Sequence, residues 1–77
     1  MIIKFFTEGC HPCKAISSLL NSLEIDYQEI DIAKDIPSAI KHKVRSVPTV
    51  LNTDTGKSLV GFPGIMKAEE WINDNCR

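Results

Sequence analysis

The sequence predicts an α/β fold in which a βαβ unit is followed by an αββα half, and three observations carry that prediction. The run Ile2-Ile3-Lys4-Phe5-Phe6 is short, apolar and rich in branched or aromatic residues, as a strand requires. From Pro12 to Leu23 the apolar residues Ile16, Leu19, Leu20 and Leu23 form one stripe of a helix packed on a sheet. The turn formers Asn52-Thr53-Asp54-Thr55-Gly56 separate two further strand-like runs.

Between Leu23 and Ile32, Ile25, Tyr27, Ile30 and Ile32 lie among acids and predict a second strand whose register is open. A right-handed crossover through the first helix makes strands one and two parallel. Asp35-Ile36-Pro37 predicts a helix start, because an acid and an early proline both suit the first turn. Ile36, Ile40 and Val44 continue that helix at spacing four. Val47 to Leu51 reads as the third strand and Lys57 to Val60 as its hairpin return. Gly61-Phe62-Pro63-Gly64 then breaks the chain. A last helix over Ile65 to Asn75 is expected to bury Ile65, Ala68 and Ile72, with Trp71 flanking. No repeat, linker or low-complexity segment interrupts the 77 residues, so one domain over 1–77 is expected.

Composition narrows the function. A hydrophobic share of 43% with 25% charged residues is that of a globular chain and excludes a disordered one. The net charge of −1 gives no electrostatic case for nucleic acid or an anionic membrane. No apolar run approaches the roughly 20 residues that cross a bilayer. Three cysteines are too few and too odd for a secreted disulfide scaffold. The first apolar run leads straight into the cysteine motif, so it does not read as a removable signal peptide. A monomer in a reducing cytoplasm is the expectation.

Cys10-His11-Pro12-Cys13 stands where the first strand ends and the first helix begins. A thiolate there gains the partial positive charge of the helix start, and the thiolate is the reactive form of cysteine. Cys10 falls at or next to the helix cap and is exposed. Cys13 lies three residues on and nearer the core. Cys10 is therefore read as the attacking thiolate and Cys13 as the thiol that resolves the mixed disulfide. Their disulfide is the only redox group expected, with no other cofactor and no metal. Pro12 rigidifies the loop and fits the first helical turn. His11 either stabilises the Cys10 thiolate when protonated or is an inert loop side chain. Pro48 is awkward at the start of a strand, since it removes a ladder donor. A cis Val47-Pro48 bond, at a site left open for a partner, would resolve the oddity.

Taken together these residues resemble the thioredoxin superfamily. Cys10-His11-Pro12-Cys13 has its Cys-x-Pro-Cys form. Val44-Arg45-Ser46-Val47-Pro48-Thr49-Val50 is similar to its cis-proline segment, and Val60-Gly61 to the glycine ending the fourth strand. The resemblance implies a minimal thioredoxin fold, with a four-stranded mixed sheet flanked by helices on both faces. It also implies a substrate groove at Cys10, Val47, Pro48 and Gly61, where the backbone before the proline pairs with a bound polypeptide. Protein disulfides are the implied substrates.

The chain departs from the family at several positions. Its length is that of a glutaredoxin. Gly9 stands where thioredoxins usually have tryptophan. Lys4 stands where they have a buried acid that handles the proton of the second cysteine; its amine is expected to reach solvent, the alternative being that it points under the motif and favours thiolate. Thr7 replaces the glutaredoxin lysine before the motif, and Gly61-Phe62-Pro63-Gly64-Ile65 replaces the glycine pair and acid that hold glutathione. The expected recycling partner is thus thioredoxin reductase or a similar flavoprotein, with glutathione the alternative. The nearest likeness is to small glutaredoxin-sized proteins that supply electrons to ribonucleotide reductase.

Cys76 either shares the packing face of the last helix or frays. His42 reads as solvated, and Trp71 and Met66 as core or groove edge. Three rival functions remain at this level: a zinc site completed by Cys76 and a histidine, an iron–sulfur cluster bridging two chains, and a docking module that has lost its chemistry.

Overall fold

This computed structural model describes residues 1–77. Strand β1 (Ile2–Phe6) leads into α1 (His11–Ser22), followed by β2 (Gln28–Asp31), α2 (Ile36–Lys41), β3 (Thr49–Asn52), β4 (Ser58–Val60) and α3 (Ile65–Asn75). The sheet order is β2-β1-β3-β4. β1 pairs parallel with β2, Phe5 facing Ile30, and antiparallel with β3, Phe5 facing Thr49. β3 and β4 form the expected hairpin, with Val50 opposite Leu59.

The two faces of β1 are both covered. Ile2 joins Ile16, Leu20, Val50, Ala68 and Ile72 in the core beneath α1 and α3. Phe5, fully buried, points to the opposite face, where the His42 ring at the end of α2 tilts against it at 5.6 Å. Helices therefore flank a mixed sheet on both sides, the arrangement of a thioredoxin fold.

Both α1 and α2 end in the same hydrogen-bonded motif. Ile25 N–H donates to Leu20 C=O and Glu24 N–H to Asn21 C=O; Val44 N–H donates to Ala39 C=O and Lys43 N–H to Ile40 C=O. In each case the residue after the cap is left-handed, Glu24 at φ 57° and Lys43 at φ 58°. This corrects the expectation for α2. The helix stops at Lys41, and Val44 folds back onto it rather than extending it. Asp35 does cap α2, accepting from Ser38 N–H at 3.2 Å. Ile36 and Ile40 are exposed, and the small Ala39 is the buried residue of the helix.

Other expectations shift by a residue or two. β2 is confined to Gln28–Asp31, and β4 begins at Ser58 rather than Lys57. β3 begins at Thr49 rather than Val47, because Pro48 has no N–H to place in the ladder. α3 spans Ile65 to Asn75 as expected and buries Ala68 and Ile72, but Ile65, in its first turn, is exposed. Met66 is also exposed and belongs to no core, whereas Trp71 packs against the cluster at half burial. Cys76 caps the C-terminus of α3 and packs on the core; burial pushes its thiol up to about 11. No helix is long and apolar enough to cross a membrane.

Candidate active site

The chain reaches the cysteine motif through Gly9, whose φ of 78° turns the end of β1 into the start of α1. A tryptophan there would carry the strain of a left-handed backbone, so this chain's glycine matches its own turn. Cys10 is the N-cap of α1, and its Sγ accepts the Cys13 N–H at 3.2 Å. The sulfur thus occupies the place of a capping oxygen, facing the amides that carry the helix's partial positive charge. Pro12 lies in the first turn, as its missing N–H allows. Cys10 and Cys13 are joined as a disulfide with Cα atoms 5.2 Å apart. Their burial is unequal: Cys13 is only 3% exposed, while Cys10 is half-buried at the surface. His11 is exposed.

Pro48 and Gly61 meet at the sheet end that carries this motif. The Val47-Pro48 bond is cis, and Gly61 N–H donates to Pro48 C=O at 2.8 Å. Because Thr49 pairs with Phe5 on one side and Val60 on the other, Pro48 and Gly61 lie at the same end of the sheet as Cys10. Val47 N–H and C=O take no hydrogen bond within the chain. All seven sequence-predicted site residues, Cys10, His11, Pro12, Cys13, Val47, Pro48 and Gly61, therefore gather at one sheet end. Beyond them, His42, Lys43 and Arg45 line a basic cleft of about 330 Å³ that continues along Thr49 and Val60.

A second cleft, of about 360 Å³, opens behind the disulfide and is lined by Cys10, Cys13, Lys4, Ser17 and Glu29 among others. Here the expectation for Lys4 fails. Its side chain is 4% exposed and does not reach solvent; Nζ pairs with Glu29 Oε2 at 2.9 Å and donates to Ser17 Oγ. Alternation in β1 forces this: Lys4 shares a face with Ile2, and that face is closed by α1. Ser17 and Glu29 were not singled out from sequence. Ser17 could have been, being four residues after Cys13 on α1; Glu29 could not, because its place opposite Lys4 depends on the β1–β2 register.

Cys76 cannot complete a zinc site with the motif. Asn52 Nδ2 donates to Asn75 C=O at 2.6 Å, and Asn52 faces Ile2, so the C-terminus lies at the other end of the sheet. No three His, Cys, Asp or Glu side chains converge as metal ligands would.

A capped, unequally buried cysteine pair at the same sheet end as a cis-proline defines a thiol–disulfide oxidoreductase. The profile of the family described as Glutaredoxin matches residues 2–54. The chain is 32% identical over 65 residues to the SPbeta prophage-derived thioredoxin-like protein YosR of Bacillus subtilis, covering 79% of this chain and 81% of that one. It is 32% identical over 77 residues to a thioredoxin of Chlamydia caviae, covering 94% of this chain and 76% of the relative. Among solved structures, the thioredoxin-like protein BC3987 superimposes with a TM-score of 0.75 at 26% identity, over 91% of this chain and 97% of that one. Fasciola hepatica thioredoxin, at 23% identity and TM-score 0.77 over 96% of this chain and 78% of its own, shares the fold. The chain belongs to the glutaredoxin family, within the thioredoxin superfamily. Proteins of this kind carry electrons on their own disulfide and need no other cofactor.

Proposed function

We propose that this chain is a cytoplasmic, monomeric dithiol electron carrier that reduces disulfides of protein substrates in the manner of thioredoxin, ribonucleotide reductase being one candidate. Cys10 thiolate attacks one sulfur of the substrate disulfide, forming a mixed disulfide and releasing the first substrate thiolate. Cys13 thiolate then attacks Cys10 Sγ, the bond to substrate breaks, and its electron pair leaves with the second substrate sulfur. Two electrons have passed from the dithiol to the substrate. A flavoprotein reductase of the thioredoxin reductase kind returns them.

The single observation carrying this reading is the asymmetry of the pair: Cys10 capped and reachable, Cys13 3% exposed behind it. The unpartnered amide and carbonyl of Val47 support strand-like docking of a polypeptide beside Cys10. Cys13→Ser should accumulate a mixed disulfide through Cys10 when given an oxidised protein substrate; an absence of adduct would refute the role assignment. Alkylation trapping in intact cells should find the pair mainly reduced, and a fully oxidised pair would remove the cytoplasmic assignment.

The glutaredoxin profile favours a second reading, recycling by glutathione. Thr7 and Phe62-Pro63 weigh against it, since neither offers charge for the carboxylates or amine of glutathione. Turnover with thioredoxin reductase should exceed turnover with glutathione and glutathione reductase. The reverse order would establish the second reading.

A further inference from the structure

We infer that Lys4 and Glu29 set how readily Cys13 becomes a thiolate, the Lys4 ammonium favouring the anion and Glu29 tempering that effect. This rests on the disulfide-exchange reading and adds residues to it.

The geometry is specific. Lys4 is the one ammonium drawn into the interior, 4% exposed, and it opens on the same cleft as Cys13. Its contact on α1 is Ser17, one helical turn beyond Cys13 on the same face. Glu29 neutralises it from one side only and is itself 48% exposed, so water screens the carboxylate more than the ammonium. The other ionisable groups around the cleft are Cys10, Glu8 and Lys14. Glu8 and Lys14 are exposed, and Glu8 is matched by Lys34 at 3.4 Å. The least screened charge facing Cys13 is therefore positive.

The chemical consequence runs in both directions. During substrate reduction, Cys13 loses its proton to solvent through the open cleft, attacks Cys10 Sγ, and displaces the substrate thiolate. During recycling, the incoming thiolate bonds to Cys10, the Cys10–Cys13 bond breaks, and Cys13 leaves with the electron pair. A nearby ammonium stabilises Cys13 as nucleophile and as leaving group alike. A carboxylate at this position would take the proton itself. The ammonium cannot, and acts only through its field.

The test follows Cys13 in the Cys10→Ser background, so that one thiol of the pair titrates alone, by the ¹³Cβ shift of labelled cysteine against pH. Lys4→Met should raise the Cys13 midpoint by about one pH unit, the lower end of what an opposite charge at close range produces. Lys4→Arg should hold it near the parent value, because charge rather than lysine is required. Glu29→Gln should move it the other way, downward. An unchanged midpoint in Lys4→Met, or a rise in Glu29→Gln, would overturn the inference. Should Lys4→Met not fold, Glu29→Gln at its half-exposed site decides by the sign of its shift alone. No substrate is present in this measurement, so its outcome is separate from that of mixed-disulfide trapping.

Discussion

The Lys4–Glu29 pair is lopsided, and its two halves should not be equally expendable. At 2.9 Å the mutual attraction would be ~1.4 kcal/mol in bulk water and ~6 kcal/mol at an effective dielectric of ~20. With Glu29 48% exposed, the effective value belongs toward the lower end, about 2 kcal/mol. Glu29→Gln leaves the ammonium of Lys4 buried with Ser17 and the Phe6 ring, 5.1 Å away, as its remaining partners, and should cost about 2 kcal/mol. Lys4→Met leaves the opposite remainder: a carboxylate free to turn into water and a flexible apolar side chain in the lysine's place. That change should stay within about 1 kcal/mol, since apolar replacement of a buried ion is often neutral or better. Urea unfolding of the oxidised protein at pH 7 measures both, and the slope checks that compactness is unchanged. In thermal unfolding the Glu29→Gln loss should read as a drop on the order of 10 °C for a chain of this size. If Lys4→Met proves as costly as Glu29→Gln or costlier, burial of the ammonium is not what makes the pair matter.

Other positions make equally definite claims. The Cys76 thiol, raised from 9.0 to about 11 by burial, keeps its proton more tightly folded than unfolded. Its contribution is therefore fully present below pH 9 and is lost as pH rises toward 11. The stability difference between the parent protein and Cys76→Ser should shrink across that window in denaturant titrations. Glu24→Gly or Lys43→Gly relieves a left-handed non-glycine residue at a helix end and should stabilise by up to about 1 kcal/mol in the same assay. Gly61→Ala meets no atom within 4 Å of the new Cβ but must hold φ near 81°. It should cost about 1 kcal/mol in stability without steric disruption, and a loss above 3 kcal/mol would show a contact other than backbone conformation.

What could be read from sequence depended on which force placed each residue. The motif and the start of α1 were legible because Cys10 and Pro12 are set by local backbone chemistry, whereas the left-handed turn at Gly9 was not read. Pro48 was legible because a strand cannot easily accommodate it. α3 was legible as a helix, but not its exposed first turn, since nothing local distinguishes Ile65 from Ala68. α2 misled for a related reason: Ile36 and Ile40 at spacing four are exposed, and the buried residue of the helix is an alanine. Lys4 was the instructive failure. A lysine in a strand ordinarily snorkels, but β1 is central and covered on both sides, and its amine stays inside against Glu29 and Ser17. Only the parallel pairing of β1 with β2 brings Glu29 across from it.

The hydrogen bond from Cys13 N–H to Cys10 Sγ also ties chemistry to folding. No acidic side chain supports the first turn of α1, so the capping atom is the same sulfur that exchanges partners. A negatively charged sulfur accepts that bond more strongly than a neutral one. Arylating or alkylating Cys10 would thus blunt the reagent and loosen the helix in a single stroke, and labelled protein should unfold more easily for that reason.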